Sequence, residues 1–144
     1  VLIGEKAEPQ VRALLDETNK KMRWEAAKTL AAMVQPASLP AFLTLLGDHE
    51  SDLRWIAADG LINLGPRTVV PLLESLVTTA PVKGQGEMAA RVLRELSTDN
   101  EVLAEIVAPV LDALREPDPT ILSPRISRAL SDISTVTGEL PPLS

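Results

Sequence analysis

A chain of 144 residues that is 45% hydrophobic has enough apolar material for one ordered domain and too much to stay disordered throughout. Its net charge of −6 argues against nucleic acid as a partner, because affinity for phosphate backbones comes mainly from Lys and Arg displacing counterions. The lack of cysteine excludes a disulfide framework, a thiolate metal site and a cysteine nucleophile, and makes the cytoplasm the expected compartment.

The apolar residues are mostly Leu, Ala and Val, with two Trp, one Phe and no Tyr, a mixture that suits close helix packing better than a sheet. No apolar run approaches the roughly 20 residues that span a bilayer, so no membrane role is expected. The chain opens without Met on an apolar stretch before Pro9, which reads as a piece of a longer protein cut within a structural unit.

Two helical patterns then recur. Arg23-Trp24-x-Ala26-Ala27-x-x-Leu30 returns 31 positions later as Arg54-Trp55-x-Ala57-Ala58-x-x-Leu61. Pro9, Pro40 and Pro71 keep the same step, as do Leu14, Leu45 and Leu76, and Met22 with Leu53. Such a period predicts stacked helix pairs. A short helix carries Leu39, Phe42, Leu45 and Leu46, with Ser38 supplying a capping oxygen and Pro40 in the first turn. Thr68 and Pro71 repeat that start.

After the turn Gly47–Asp52, a longer helix places Leu53, Ala57, Leu61 and Leu64 on one stripe, as Met22, Ala26, Leu30 and Met33 do one unit earlier. The segment Thr79 to Gly86 is the most loop-like interior stretch, after which Ala89-Ala90 resumes the pattern with one residue inserted. Pro109, Leu111 and Leu114 read as the next short helix. A final helix around Ile126, Leu130 and Ile133, with Ser127 at the second alanine position, ends near Gly138 as a divergent terminal cap. The expected product is an all-α solenoid of about eight antiparallel helices in roughly four units, with a domain over 1–138 and a Pro-rich tail over 139–144.

These motifs resemble HEAT repeats of the short, phycobilin-lyase type, in which a P-x-L/F-x-x-L-L helix is followed by an acidic turn and a helix with R-x-x-A-A-x-x-L. The resemblance implies that the R-x-x-A-A helix lines a concave side and the proline-started helix a convex one. It implies an arginine strut to the preceding turn, from Arg54 to Asp48 or Asp52 and from Arg23 to Asp16 or Glu17. Its members include scaffolds, phycobilin lyases, an iron-dependent deoxyhypusine hydroxylase and a DNA glycosylase relative, so individual residues must choose.

Trp24 stands where the hydroxylase has a metal ligand, and the single His49 lies beside Glu50 in a turn, so neither a metal nor another cofactor is expected. A Ser-His-Asp set without His49 is impossible, and Asp59 with Glu87 is a poor candidate for acid–base work on a solvated face. The stretch containing Lys20, Lys21, Arg23 and Lys28 reads as a solvated helix face.

At 100° per residue Trp24 points almost opposite its helix's apolar stripe, and Trp55 does the same, which sets the two indoles about 10 Å apart on adjacent helices. Lys28, Asp59, Ile62, Glu87, Arg91 and Arg94 share that face. Two readings remain at this point: the indoles bind a ligand, or each lies across its neighbouring helix and seals the array. The sequence is read as a non-catalytic scaffold that binds a protein or peptide on this concave face. A phycobilin-lyase-like role and, less readily, a DNA-glycosylase-like one are the alternatives.

Overall fold

The computed structural model describes residues 2–79, 81–82, 84–116 and 118–136, with side chains from Lys6 onward. The expected helix end near Gly138 and the tail over 139–144 lie outside the described residues. Eight α-helices make up the described part, with no strand: α1 Leu2–Ala13, α2 Lys20–Met33, α3 Leu39–Leu45, α4 Ser51–Leu64, α5 Val69–Thr78, α6 Gln85–Ser97, α7 Glu101–Ala113 and α8 Pro119–Val136. The protein is an all-α helical-repeat solenoid. None of the described helices is long and apolar enough to cross a membrane.

The core is one cluster running through the array, and α4 is its centre. Leu53, Ala57, Ala58 and Leu61 of this helix are all fully buried, against α2 on one side, α6 on the other and α3 behind. The alanine pairs explain how three neighbours reach it, because interaxial distance shrinks with the side chains at the crossing. Gly60 takes this further: a Cβ there would meet the Phe42 ring at 2.5 Å, so α3 lays its one aromatic residue directly on the α4 backbone.

The stripe expected for α2 is only partly correct. Ala26 and Leu30 are buried, but Met33 is half-buried and Met22 is 42% exposed, although its counterpart Leu53 is 0% exposed. Leu14 is exposed too, while Leu45 and Leu76 are buried. The physical reason is position: Leu53 has α2 packed against its helix, and no helix of the described chain lies on the corresponding side of α2.

Ser38 and Thr68 do not cap α3 and α5. Both are buried, with Ser38 Oγ donating to Glu8 Oε2 at 2.6 Å and Thr68 Oγ1 donating to the Leu61 carbonyl at 2.9 Å. The first bond ties the start of α3 back to α1, and the second ties the start of α5 to α4. Pro40 does occupy the first turn of α3, but Pro9 lies inside α1, which starts at Leu2.

The largest departure is at the C-terminal end. Pro109 lies inside α7, which begins at Glu101, and α7 packs beside α6 while α8 packs beside α5 and α7. The two layers are therefore α2, α4, α6, α7 and α1, α3, α5, α8. Ser127 is exposed on α8, whose buried stripe is Leu122, Ile126, Ala129 and Ile133, so α8 does not continue the alanine-pair row.

Connector length accounts for the exchange. The chain leaves α2 and α4 through proline-containing 3-10 turns, Pro36–Ser38 and Gly65–Thr68, that carry it across to the other layer. Only residues 98–100 separate α6 from α7, and the Asn100 side chain accepts from the Leu103 N–H to start the new helix at once.

The arginine struts are present, one with an expected residue and one without. Arg54 reaches Asp48, its Nη1 donating to the backbone carbonyl at 2.8 Å, whereas Arg23 Nε donates to the Leu15 carbonyl at 3.1 Å and not to Asp16 or Glu17. The Asp48 carboxylate also pairs with Arg23, one unit back, and accepts the Glu50 N–H at 2.9 Å. In the following turn Gly84 stands against the Arg54 guanidinium with a positive φ of 86°, a backbone conformation that favours glycine.

Burial pushes the Asp48 carboxyl up, and the Glu50 N–H, the Arg23 hydrogen bond and the Arg23 charge together outweigh it, holding the group below its ordinary value of 3.8. A carboxylate depressed in the folded state adds stability above the unfolded pKa that is lost as pH falls through the folded one. Asp48→Asn should therefore flatten the loss of stability below about pH 4, read from thermal melts across the acid range. In the same assay at neutral pH, Leu61→Ala should cost about 2 to 5 kcal/mol, the range for deleting a fully buried leucine side chain.

A two-tryptophan groove on the α2–α4–α6–α7 face

The solvent side of the α2, α4, α6, α7 layer carries three neighbouring cavities. Trp24 and Trp55 line the first together with Lys28, Asp52, Ile56 and Asp59, in a volume of about 580 Å³. Lys28, Asp59, Ile62, Asn63, Arg91 and Glu95 line the second, of about 530 Å³. The third, about 750 Å³, lies between α4, α6 and α7 and includes Trp55, Glu87, Arg91 and Arg94. All eight residues expected to share a face, namely Trp24, Lys28, Trp55, Asp59, Ile62, Glu87, Arg91 and Arg94, thus fall along one continuous groove.

Each indole has a cation over its ring. Lys28 Nζ stands 4.0 Å from the Trp24 ring centre, one helical turn along α2, and the Arg91 guanidinium carbon stands 4.3 Å from the Trp55 ring centre, reaching from α6 to α4. Arg91 also donates to Asp59 Oδ1 at 2.7 Å, so one guanidinium joins two residues of the neighbouring helix. The two indoles differ in exposure. Trp24 is half-buried against the core, whereas Trp55 is 51% exposed despite the arginine stacked on it.

A model of HEAT repeats matches residues 7–85, more than half of the chain. The chain belongs to the HEAT-repeat family. No curated protein and no solved structure matches it in the corresponding comparisons. The matched stretch ends where α6 begins, just before the units whose packing departs from simple repetition.

Other expected features of this HEAT array are dispersed. Lys20 reaches Glu50 at 3.0 Å and Arg23 pairs with Asp48, so the basic stretch is divided among acidic partners and the Trp24 ring. His49 is exposed, with Asp48 Oδ1 and Glu50 Oε1 each 3.5 Å from one of its ring nitrogens. Among the described residues no group of three or more His, Asp or Glu side chains is arranged to hold a metal ion. Asp59 is engaged by Arg91, and Glu87 lines the third cavity, so the two carboxylates are not presented as a pair.

Met88, Leu111, Leu114 and Arg115 belong to the groove and were not expected there. Three of them come from α7 or the turn after it, and the sequence signal that would have placed them is the three-residue connection without proline or glycine before Glu101. The different exposure of the indoles gives a direct check. Acrylamide should quench the fluorescence of a Trp24→Phe protein, which retains Trp55, more strongly than that of a Trp55→Phe protein.

Proposed function

We propose that this HEAT-repeat chain is a non-catalytic interaction module that binds a protein or peptide segment along the α2–α4–α6–α7 groove. The observation that carries the reading is Trp55: a large indole half open to solvent, fixed in place by Arg91, at the meeting point of two cavities. Tryptophan and arginine dominate binding energy at interfaces because they combine broad apolar area with directional polar contacts and lose little freedom when already held. Trp24 and Lys28 extend the same arrangement along the groove.

A non-catalytic role is supported by the chemistry of the groove, whose carboxylates are either engaged by arginine or separated, and by the position of the sole histidine in an exposed turn. Assignment to the short, phycobilin-lyase type of HEAT repeat is part of the proposal as a statement about repeat length, resting on the 31-residue step. It carries no claim about bilins. A protein or peptide partner fits the groove's length, since three cavities in a row suit an extended chain or a helix better than one compact small molecule.

The test is a Trp24→Ala/Trp55→Ala protein. Its helicity and melting temperature should stay near those of the wild type, because neither indole is fully buried. Binding of a partner captured by the wild-type array should weaken by about 2 kcal/mol or more, or about 30-fold. A large fall in melting temperature with binding unchanged would instead show that the indoles only seal the array.

A further inference from the structure

We infer that the cavity between α4, α6 and α7 takes an acidic, apolar segment of the partner, with carboxylates held by Arg94 and Arg115 and an apolar side chain set against Trp55, Met88 and Leu111. This rests on the groove being a binding surface and names the chemistry it selects. Charge is the first argument. The chain as a whole carries −6, yet this cavity is lined by three arginines against two carboxylates, Glu87 and Asp112. At the other end of the groove the balance reverses, with Lys28 against Asp52 and Asp59.

The pairing pattern sharpens the first argument. Arg91 is taken by Asp59 at 2.7 Å and Asp112 by Arg125 at 3.1 Å, so two of the five charges are already balanced by groups that do not line the cavity. Arg94 and Arg115 are exposed, and among the described residues neither forms an ion pair. Arg94 and Arg115 against the one remaining carboxylate, Glu87, leave an excess of positive charge that a carboxylate-bearing segment relieves, and Arg is the side chain whose planar fork matches carboxylate geometry.

The floor supplies the second argument. Met88 and Leu111 are only half-buried, and with Trp55 they form an apolar base between the arginines. Methionine beside an aromatic ring makes an adaptable surface that accepts side chains of varied shape. Apolar contact below and cations at the rim together favour sequences that mix Leu, Ile or Phe with Asp or Glu. Strongly basic segments meet repulsion at the rim and lose the carboxylate contacts, which is how such a site discriminates.

The experiment is selection from a random dodecapeptide display library on the immobilised wild-type protein, followed by fluorescence anisotropy with the enriched peptides. Acidic–apolar sequences should be enriched. Their affinity should fall at least tenfold for Arg94→Glu/Arg115→Glu and for Trp55→Ala, fall with added salt, and change little for Arg67→Glu, an exposed arginine outside the groove. Enrichment of basic or charge-indifferent peptides that still require Trp55 would overturn the inference and leave the groove reading standing. Equal affinity for the wild type and the arginine double variant would overturn it as well. No enrichment above a bare surface would sink both. Melting curves of the variants confirm that each is folded, which is expected because both arginines are exposed.

Discussion

The packing of α4 against α2, α3 and α6 is the constraint on which the rest of this array depends. Leu53, Ala57, Ala58 and Leu61 are all fully shielded from solvent, and Gly60 admits the Phe42 ring against the helix backbone. Close approach on three sides leaves one side of α4 free, and Trp55 projects from it. The tryptophan is therefore on the surface because the small residues opposite are in the core. Where the alanines go, the indoles cannot follow.

Polar groups reinforce the stack at places where apolar packing alone has no preferred register. Arg23 and Arg54 each reach a carbonyl in the turn before their own helix, and Asp48 passes the connection from one unit to the next. Asn63 Nδ2 donates to the Ala31 carbonyl at 3.0 Å and joins the C-terminal parts of α2 and α4. Such bonds are modest individually, yet leaving their partners unsatisfied inside a repeat interface costs more than the bonds themselves contribute. Their joint effect is to fix how far each unit slides on its neighbour, and so where Trp24 and Trp55 stand along the groove.

The ends of the array differ in kind. At the α1–α2 end Leu14 and Met22 are exposed at positions buried one unit later, while α8 turns Ser127, Arg128 and Ser131 outward at the other end. The exchange of layers by α7 and α8 has a second effect, since it brings Leu111, Leu114 and Arg115 into the groove. Departure from simple repetition and enlargement of the surface arise from the same short connection.

The sequence by itself determined the helical class, the 31-residue step and the face on which the tryptophans stand. Those properties follow from local periodicity, because a helix rotates about 100° per residue and places every side chain relative to its own axis. The eight groove residues were legible for that reason. Helical periodicity could not determine which helix neighbours which once the repeat loosened, since Pro109, Leu111 and Leu114 look the same in either layer, and only the short connection before Glu101 hinted at the exchange. Tertiary structure alone decided that α7 lies beside α6, that Ser38 answers Glu8 instead of capping α3, and that Asp48 serves Arg23 more directly than Arg54. Each of these is a contact between different elements, settled by connector length and by which buried polar group most needs a partner. Periodicity within one helix carries no record of either.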